Sequence, residues 1–182
     1  ALLEYLVIFF RDQHLTPEQH IAFGRRFGEL HVHPYIPNLE GYPEIIQLAS
    51  ADDGPGRMAY QSNQWHTDLT YIAEPPMASL LHGVDVPEAG GDTMWNSLTA
   101  AYEGLSEPIR QLVDDLTALN NIVTSMPADF MEQSWAPNQL RQMQEVTPPI
   151  EHPVVRTHPE TGRKGLFINR NFTAHIVGIS RL

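Results

Sequence analysis

Trp65 to Ile72 reads W-H-T-D-L-T-Y-I, and where His66 and Asp68 fall within it decides how the rest of the chain is read. β-branched and aromatic residues dominate the stretch, which predicts an extended strand along which residues two apart share a face. An imidazole nitrogen and a carboxylate oxygen would then meet at one point. Such a pair is part of a metal site, and mixed nitrogen and oxygen donors suit iron, manganese or zinc better than calcium. The polar residues Tyr60 to Gln64 lead in as a loop would at the mouth of a pocket.

Spacing by itself is a weak signal. With 9 His and 22 acidic residues in 182 positions, a His-x-acid pattern is expected about once by chance. The chain has a second, His158-Pro159-Glu160, which runs into Thr161-Gly162 and reads as a hairpin tip. From spacing and context alone, His66 and Asp68 could equally be solvated strand residues hydrogen-bonded to each other.

Composition narrows the classes. A chain of 182 residues with 42% hydrophobic content is long enough for one buried core. The formal charge of -11, from 22 acidic residues against 11 Lys and Arg, argues against a nucleic-acid partner, since phosphate binding needs a basic surface. A small anion in a locally positive pocket is compatible with it. No apolar run nears the roughly twenty residues of a membrane span, and no signal peptide opens the chain. Without cysteine, any metal must be held by His, Asp, Glu and water. A cytoplasmic enzyme is the simplest expectation. The chain starts on Ala1-Leu2-Leu3-Glu4-Tyr5 and stops on Ile179-Ser180-Arg181-Leu182, so residues 1–182 are expected to be a piece of one catalytic domain, lacking its start and its C-terminal portion.

Further elements follow from pattern. Leu6 to Phe10 predicts a buried strand. Thr16-Pro17-Glu18-Gln19 has the form of a capping box opening a helix that Gly28 closes. Glu44 to Ala49 predicts a strand, Asp52 to Gly56 a loop, Ala78 to Val86 a strand, Gly90-Gly91 a turn and Asp92 to Trp95 a return strand. Ser106-Glu107-Pro108 starts a helix whose Ile109, Leu112, Val113 and Leu116 mark one apolar face. Residues 126–149, poorly periodic and rich in Gln, Met and Pro, read as an excursion or lid. His152 to Arg156 and Leu166 to Asn169 predict strands around the turn at Pro159 to Gly162. The pattern is that of an antiparallel sandwich or barrel with helical decoration.

Four ordered motifs then stand out: F-G-E-L-H-V-H-P at Phe27 to Pro34, N-Q-W-H-T-D at Asn63 to Asp68, G-G-D-T at Gly90 to Thr93, and H-P-V-V-R-T-H-P-E-T-G-R at His152 to Arg163. Together they strongly resemble the taurine dioxygenase (TauD/TfdA) family of Fe(II)/2-oxoglutarate-dependent dioxygenases. The resemblance implies a mixed α/β chain with a double-stranded β-helix core, a cupin-like jelly roll with flanking helices, incomplete in this piece. It also implies iron held by two His and one carboxylate, with 2-oxoglutarate and O2 as co-substrates. His66 and Asp68 would be two of the ligands. The third, a distal His, and the Arg that pairs with 2-oxoglutarate are expected beyond Leu182.

By the same resemblance Thr93, with Ser62 or Asn63, would contact 2-oxoglutarate, and His33 would contact the anionic group of the primary substrate. Tyr35, Leu69, Ser125 and Phe172 would line the substrate pocket. Ile36 stands where taurine-specific members carry Tyr, and Met126 where they carry Phe, which suits a less polar or larger substrate. The implied reaction hydroxylates a small organic anion, an alkylsulfonate such as taurine first, and forms succinate and CO2. An alkyl sulfate ester or aryloxyalkanoate is the next choice. Two other classes share the residues: a zinc hydrolase or lyase, and a non-catalytic jelly-roll binding module. The expected partners are a small anion and other copies of the chain in a dimer or tetramer.

Overall fold

A computed structural model describes residues 1–48, 64–90, 92–126 and 128–180. The chain divides into two compact units, one of Ala1–Val7, Asn63–Pro75 and Thr93–Leu182, the other of Ile8–Ser62 and Pro76–Asp92. Among the described residues no helix is long and apolar enough to cross a membrane.

In the second unit a helix, here α2 (Pro17–Gly24), follows the short α1 (Leu2–Tyr5) of the first. Both halves of its capping box form: Thr16 Oγ1 accepts from the Gln19 amide at 3.3 Å, and Gln19 Oε1 accepts from the Thr16 amide at 2.9 Å. Two of the helix's orphan donors are thus satisfied locally. The helix ends at Gly24, so Gly28 lies past it, in a loop with φ 142. Phe10 and Phe27 meet Phe23 edge to face at 5.7 and 5.4 Å. Among the described residues a two-stranded antiparallel ribbon, β1 (Asn38–Leu39) and β2 (Tyr42–Ile46), is the unit's other regular structure. Glu44 in β2 pairs with Arg25 at 2.8 Å, and Tyr42 donates to Glu18.

The expected strand over Leu6 to Phe10 does not form. Leu6 takes a left-handed conformation (φ 66) that closes α1, and Phe9 and Phe10 are exposed. Nor do strands form over Ala78 to Val86 or Asp92 to Trp95, where Leu81, Val84, Val86, Met94 and Trp95 are exposed. The physical reason is common to all three: among the described residues none of these segments has a ladder partner, and an apolar run is only a strand when another edge satisfies its backbone. The Asp52 to Gly56 loop and Gly91 lie outside the described residues.

The first unit holds the core. Helices α3 (Leu98–Glu103) and α4 (Glu107–Val113) lead into β3 (Thr117–Asn120), which is followed by a 3-10 turn (Ile122–Ser125), α5 (Ala128–Met131) and α6 (Ala136–Val146). The strands β4 (Ile150–Pro153), β5 (Val155–Thr157), β6 (Lys164–Leu166) and β7 (Thr173–Ile176) close the unit. β3 lies between β4 and β7, antiparallel to both, with Ala118 opposite His152 and Ile176. Its alternation buries Ala118 and Asn120 completely. Residues 126–149, which read as an excursion, are mostly helical, with Ala136 and Met143 of α6 buried.

β5 and β6 form the hairpin read at His158. Its Nδ1 accepts from the Glu160 and Thr161 amides at 3.2 and 3.3 Å, and Gly162 takes φ 69, which glycine adopts without steric cost. The core packs Tyr102, Ala118, Val154 and Val155 against Leu105, Val113, Leu116, Leu166 and Ile176. Val113 and Leu116 of the predicted helical face are thus core, whereas Ile109 and Leu112 are exposed. A Cβ on Gly165 would meet Leu98 Cβ at 3.2 Å, so a glycine lets α3 lie close on β6.

Beside this core the Tyr102 hydroxyl donates to Asp114 Oδ1 at 2.7 Å and Lys164 Nζ to Oδ2 at 2.9 Å. Lys164, then Tyr102, hold the Asp114 carboxyl below its usual range. A lowered carboxyl stabilises the fold above the ordinary carboxylate pKa, and that contribution is lost as pH falls through the lower native value. Asp114→Asn is therefore expected to lower the melting temperature at neutral pH and to flatten its decline on acidification, followed by circular dichroism across a pH series. Gly165→Ala should cost about 1–3 kcal/mol, read from urea unfolding.

Candidate metal centre

His66 and Asp68 come together, but not on a strand. Residues 65–67 carry no regular secondary structure, and Asp68 to Tyr71 form a turn in which Leu69 is left-handed, φ 56. The predicted strand over Trp65 to Ile72 is thus replaced by a bent segment, because no neighbouring edge takes up its backbone groups. The turn folds the carboxylate back: His66 Nε2 lies 3.3 Å from Asp68 Oδ1.

The other ring nitrogen is fixed. His66 Nδ1 is 2.7 Å from the Gln64 carbonyl, which can only accept, so Nδ1 carries a proton. In the neutral ring the Nε2 lone pair therefore faces the Asp68 carboxylate, as two ligands of one ion require. Without an ion the same closeness favours the imidazolium. The hydrogen bond to Asp68 raises the His66 pKa, burial opposes it, and the Gln64 carbonyl adds to the rise. The His66 side chain is 19% exposed and Asp68 52%, so the pair opens to solvent on the carboxylate side. Phe172, buried, meets the His66 ring edge to face at 6.5 Å and Tyr71 at 4.8 Å.

The donor chemistry and its preset tautomer fit a divalent first-row metal. Among the described residues no group of three or more His, Asp or Glu could hold one, so the pair supplies part of a coordination shell. An open cavity of about 430 Å³ lies beside it, lined by Gln64, Trp65, Ile168, Asn169, Arg170 and Thr173.

The remaining expected residues fall as follows. Leu69 is the left-handed residue of the turn, and Phe172 backs His66. Ser125 is half-buried, its hydroxyl donating to the Ile122 carbonyl at 2.7 Å, with Met126 half-buried beside it. Thr93 is exposed. Ser62 and Asn63 lie outside the described residues. His33, Tyr35 and Ile36 belong to the other unit. There His33 is buried and its Nδ1 accepts from the Tyr35 and Ile36 amides at 3.2 and 3.0 Å, which leaves Nε2 as the protonated nitrogen of a neutral ring.

Two residues that sequence reasoning did not single out grip the turn. His152 Nε2 is 2.9 Å from the Ile72 carbonyl, and Asn169 Nδ2 donates to Thr70 Oγ1 at 3.0 Å. Each sits in a stretch that reads simply as strand. The only signal was a polar residue closing or opening an apolar run.

Residues 1–181 match the family described as taurine catabolism dioxygenase TauD, TfdA family. The chain is 37% identical to an alkylsulfatase of Acinetobacter baylyi, over 100% of this chain and 56% of that protein. It is 36% identical to an alpha-ketoglutarate-dependent sulfate ester dioxygenase of Pseudomonas putida, over 99% of this chain and 58% of the relative. A crystal structure of a taurine dioxygenase from Burkholderia xenovorans superposes with a TM-score of 0.74 at 37% identity, covering 98% of this chain and 55% of that one. The chain belongs to the TauD/TfdA family. It spans somewhat over half the length of these relatives.

Because proton and metal compete for His66 Nε2, affinity for a divalent ion should fall as pH drops through a midpoint above the ordinary imidazole value. Asp68→Asn should move that midpoint down. Calorimetric titration of the full-length protein with Mn(II) across a pH series measures both.

Proposed function

We propose that the chain forms part of an Fe(II)- and 2-oxoglutarate-dependent dioxygenase that hydroxylates a small organic anion bearing a sulfur oxyanion. The observation that carries this is the approach of His66 Nε2 to Asp68 Oδ1 with the opposite ring nitrogen tied to the Gln64 carbonyl. Membership in the family supports it. On this reading the small antiparallel sheets are part of a jelly roll whose mouth carries the pair.

Iron with 2-oxoglutarate and O2 supplies the oxidation, giving succinate, CO2 and a hydroxylated substrate carbon. The chain's own residues fix where it happens. The Gln64 carbonyl holds His66 in the tautomer that offers Nε2, and Asp68 adds an anionic oxygen that offsets the cation's charge. Phe172 packs edge to face on the His66 ring and is itself backed by Tyr71. Thr93, with Ser62 or Asn63, would donate to the 2-oxoglutarate carboxylate; in the second unit, taken by itself, the His33 Nε2 proton offers a donor for a substrate oxyanion. Leu69, Ser125, Met126 and Phe172 are the candidate substrate-lining residues of the first unit, and Tyr35 and Ile36 those of the second.

Both substrate classes end in carbon–sulfur-group cleavage. Hydroxylation beside a sulfonate collapses to an aldehyde and sulfite; hydroxylation beside a sulfate ester oxygen collapses to an aldehyde and sulfate. The relatives named for sulfate esters, together with Ile36 and Met126, favour weighing the ester equally with taurine.

Full-length protein with Fe(II), ascorbate and 2-oxoglutarate should form succinate faster when taurine or a medium-chain alkyl sulfate is added. Sulfite identifies the first and sulfate the second. His66→Ala should lower the coupled rate at least about a hundredfold, since loss even of an outer partner of a metal ligand costs 10–100-fold. Absence of coupled succinate with every sulfonate and sulfate ester tried would refute the reading.

A further inference from the structure

We infer that Thr70 and Asn169 are positioning residues for the metal pair, acting through the turn that carries Asp68. The inference rests on the metal-site reading above. His66 and Asp68 converge because the chain bends after Asp68, and the bend needs Leu69 in the left-handed region at φ 56. A branched aliphatic residue holds that conformation only where its surroundings dictate it. What dictates it here is on the residues that follow.

Thr70 is completely buried, and its hydroxyl accepts from Asn169 Nδ2 at 3.0 Å. Asn169 is held in turn: its Oδ1 accepts from the Phe172 amide at 2.9 Å, and its own amide donates to Thr173 Oγ1 at 3.0 Å. Thr173 Oγ1 donates to Asn120 Oδ1 at 3.1 Å, and Asn120, fully buried in β3, donates through Nδ2 to the Ala118 carbonyl at 3.1 Å. A chain of polar side chains thus runs from the central strand to the residue after Leu69. Beyond it, Ile72 closes the turn, its amide 3.2 Å from the Leu69 carbonyl and its own carbonyl 2.9 Å from His152 Nε2.

Two features separate this from ordinary loop packing. The chain enters the turn immediately after the ligand carboxylate, so a small rotation at Leu69 moves Asp68 relative to His66. The two ends of the polar chain, Thr70 and Asn120, are also fully buried, where a lost partner is not readily replaced by water, while Asn169 and Thr173 between them are half-buried. Neither Thr70 nor Asn169 is itself one of the paired donor residues, so each would act on the pair through the turn.

The test uses the full-length protein and compares wild type, Thr70→Val and Thr70→Ser. Valine keeps the volume and removes the acceptor; serine keeps the hydroxyl. Anaerobic calorimetric titration with Co(II) measures affinity, the Co(II) visible spectrum reports ligand geometry, and the melting temperature of the metal-free protein reports folding. Thr70→Val is expected to weaken Co(II) binding about 10–100-fold and to alter the spectrum, while Thr70→Ser restores both, whatever the change in melting temperature. Unchanged affinity and spectrum in Thr70→Val would overturn the inference, as would a loss in Thr70→Ser equal to that in valine. Asn169→Ala gives the same readout from the donor's side. If wild type itself fails to bind Co(II), the metal-site reading falls and takes this inference with it; if wild type binds and the variants match it, only this inference falls.

Discussion

The turn from Asp68 to Tyr71 governs the geometry of the candidate site. A left-handed conformation costs an L-residue about 1–2 kcal/mol, and Leu69 adopts it with no glycine to ease it. The surrounding contacts must hold it: Thr70 anchored to Asn169, Ile72 bonded to the Leu69 carbonyl and to His152. Asp68 is the last residue before the strained one. Its approach to His66 is a consequence of backbone strain held by a buried framework rather than of strand alternation.

That framework belongs to the central sheet. β3 is flanked on both edges by antiparallel partners, so its backbone groups are satisfied and its inward side chains are fixed. Burying Asn120 completely would ordinarily be unfavourable. It is tolerated because both ends of the amide are bonded, to Ala118 and to Thr173, and an unsatisfied buried polar group would cost about 1–3 kcal/mol. The polar chain from Asn120 to Thr70 links the packed interior to the segment that carries His66 and Asp68. On the other flank, Tyr102, Asp114 and Lys164 tie α3 and the end of α4 to β6.

Where a signal was local, the sequence was legible. The capping box at Thr16 formed because its two hydrogen bonds need only residues three apart, and the hairpin at His158 to Gly162 formed because its turn carries its own acceptor and its own glycine. Leu6 to Phe10, Ala78 to Val86 and Asp92 to Trp95 read as strands from composition, yet a strand also needs a partner edge that no local pattern supplies. Residues 126–149 concealed α6 because its inward face is thin, Ala136, Leu140 and Met143 at helical spacing among mostly polar residues. The candidate pair His66 and Asp68 was read from residue type and family motif as lying on a strand, and the structure brings the two side chains together on a turn instead.

The sequence by itself determined the candidate pair, an imidazole and a carboxylate two residues apart with no cysteine in the chain, and a family resemblance on four ordered motifs that the family match over residues 1–181 bears out. Those are properties of residue type and order, which composition and spacing carry directly. Only the tertiary structure decided that His66 Nε2 rather than Nδ1 faces Asp68, that the turn at Leu69 brings the carboxylate to 3.3 Å, and that Asn169, 99 positions along the chain from Thr70, holds that turn. The tautomer is set by a carbonyl only two residues away, whose direction depends on the folded backbone, and the turn is held by an amide 99 positions along the chain, a contact that leaves no periodic trace in the sequence.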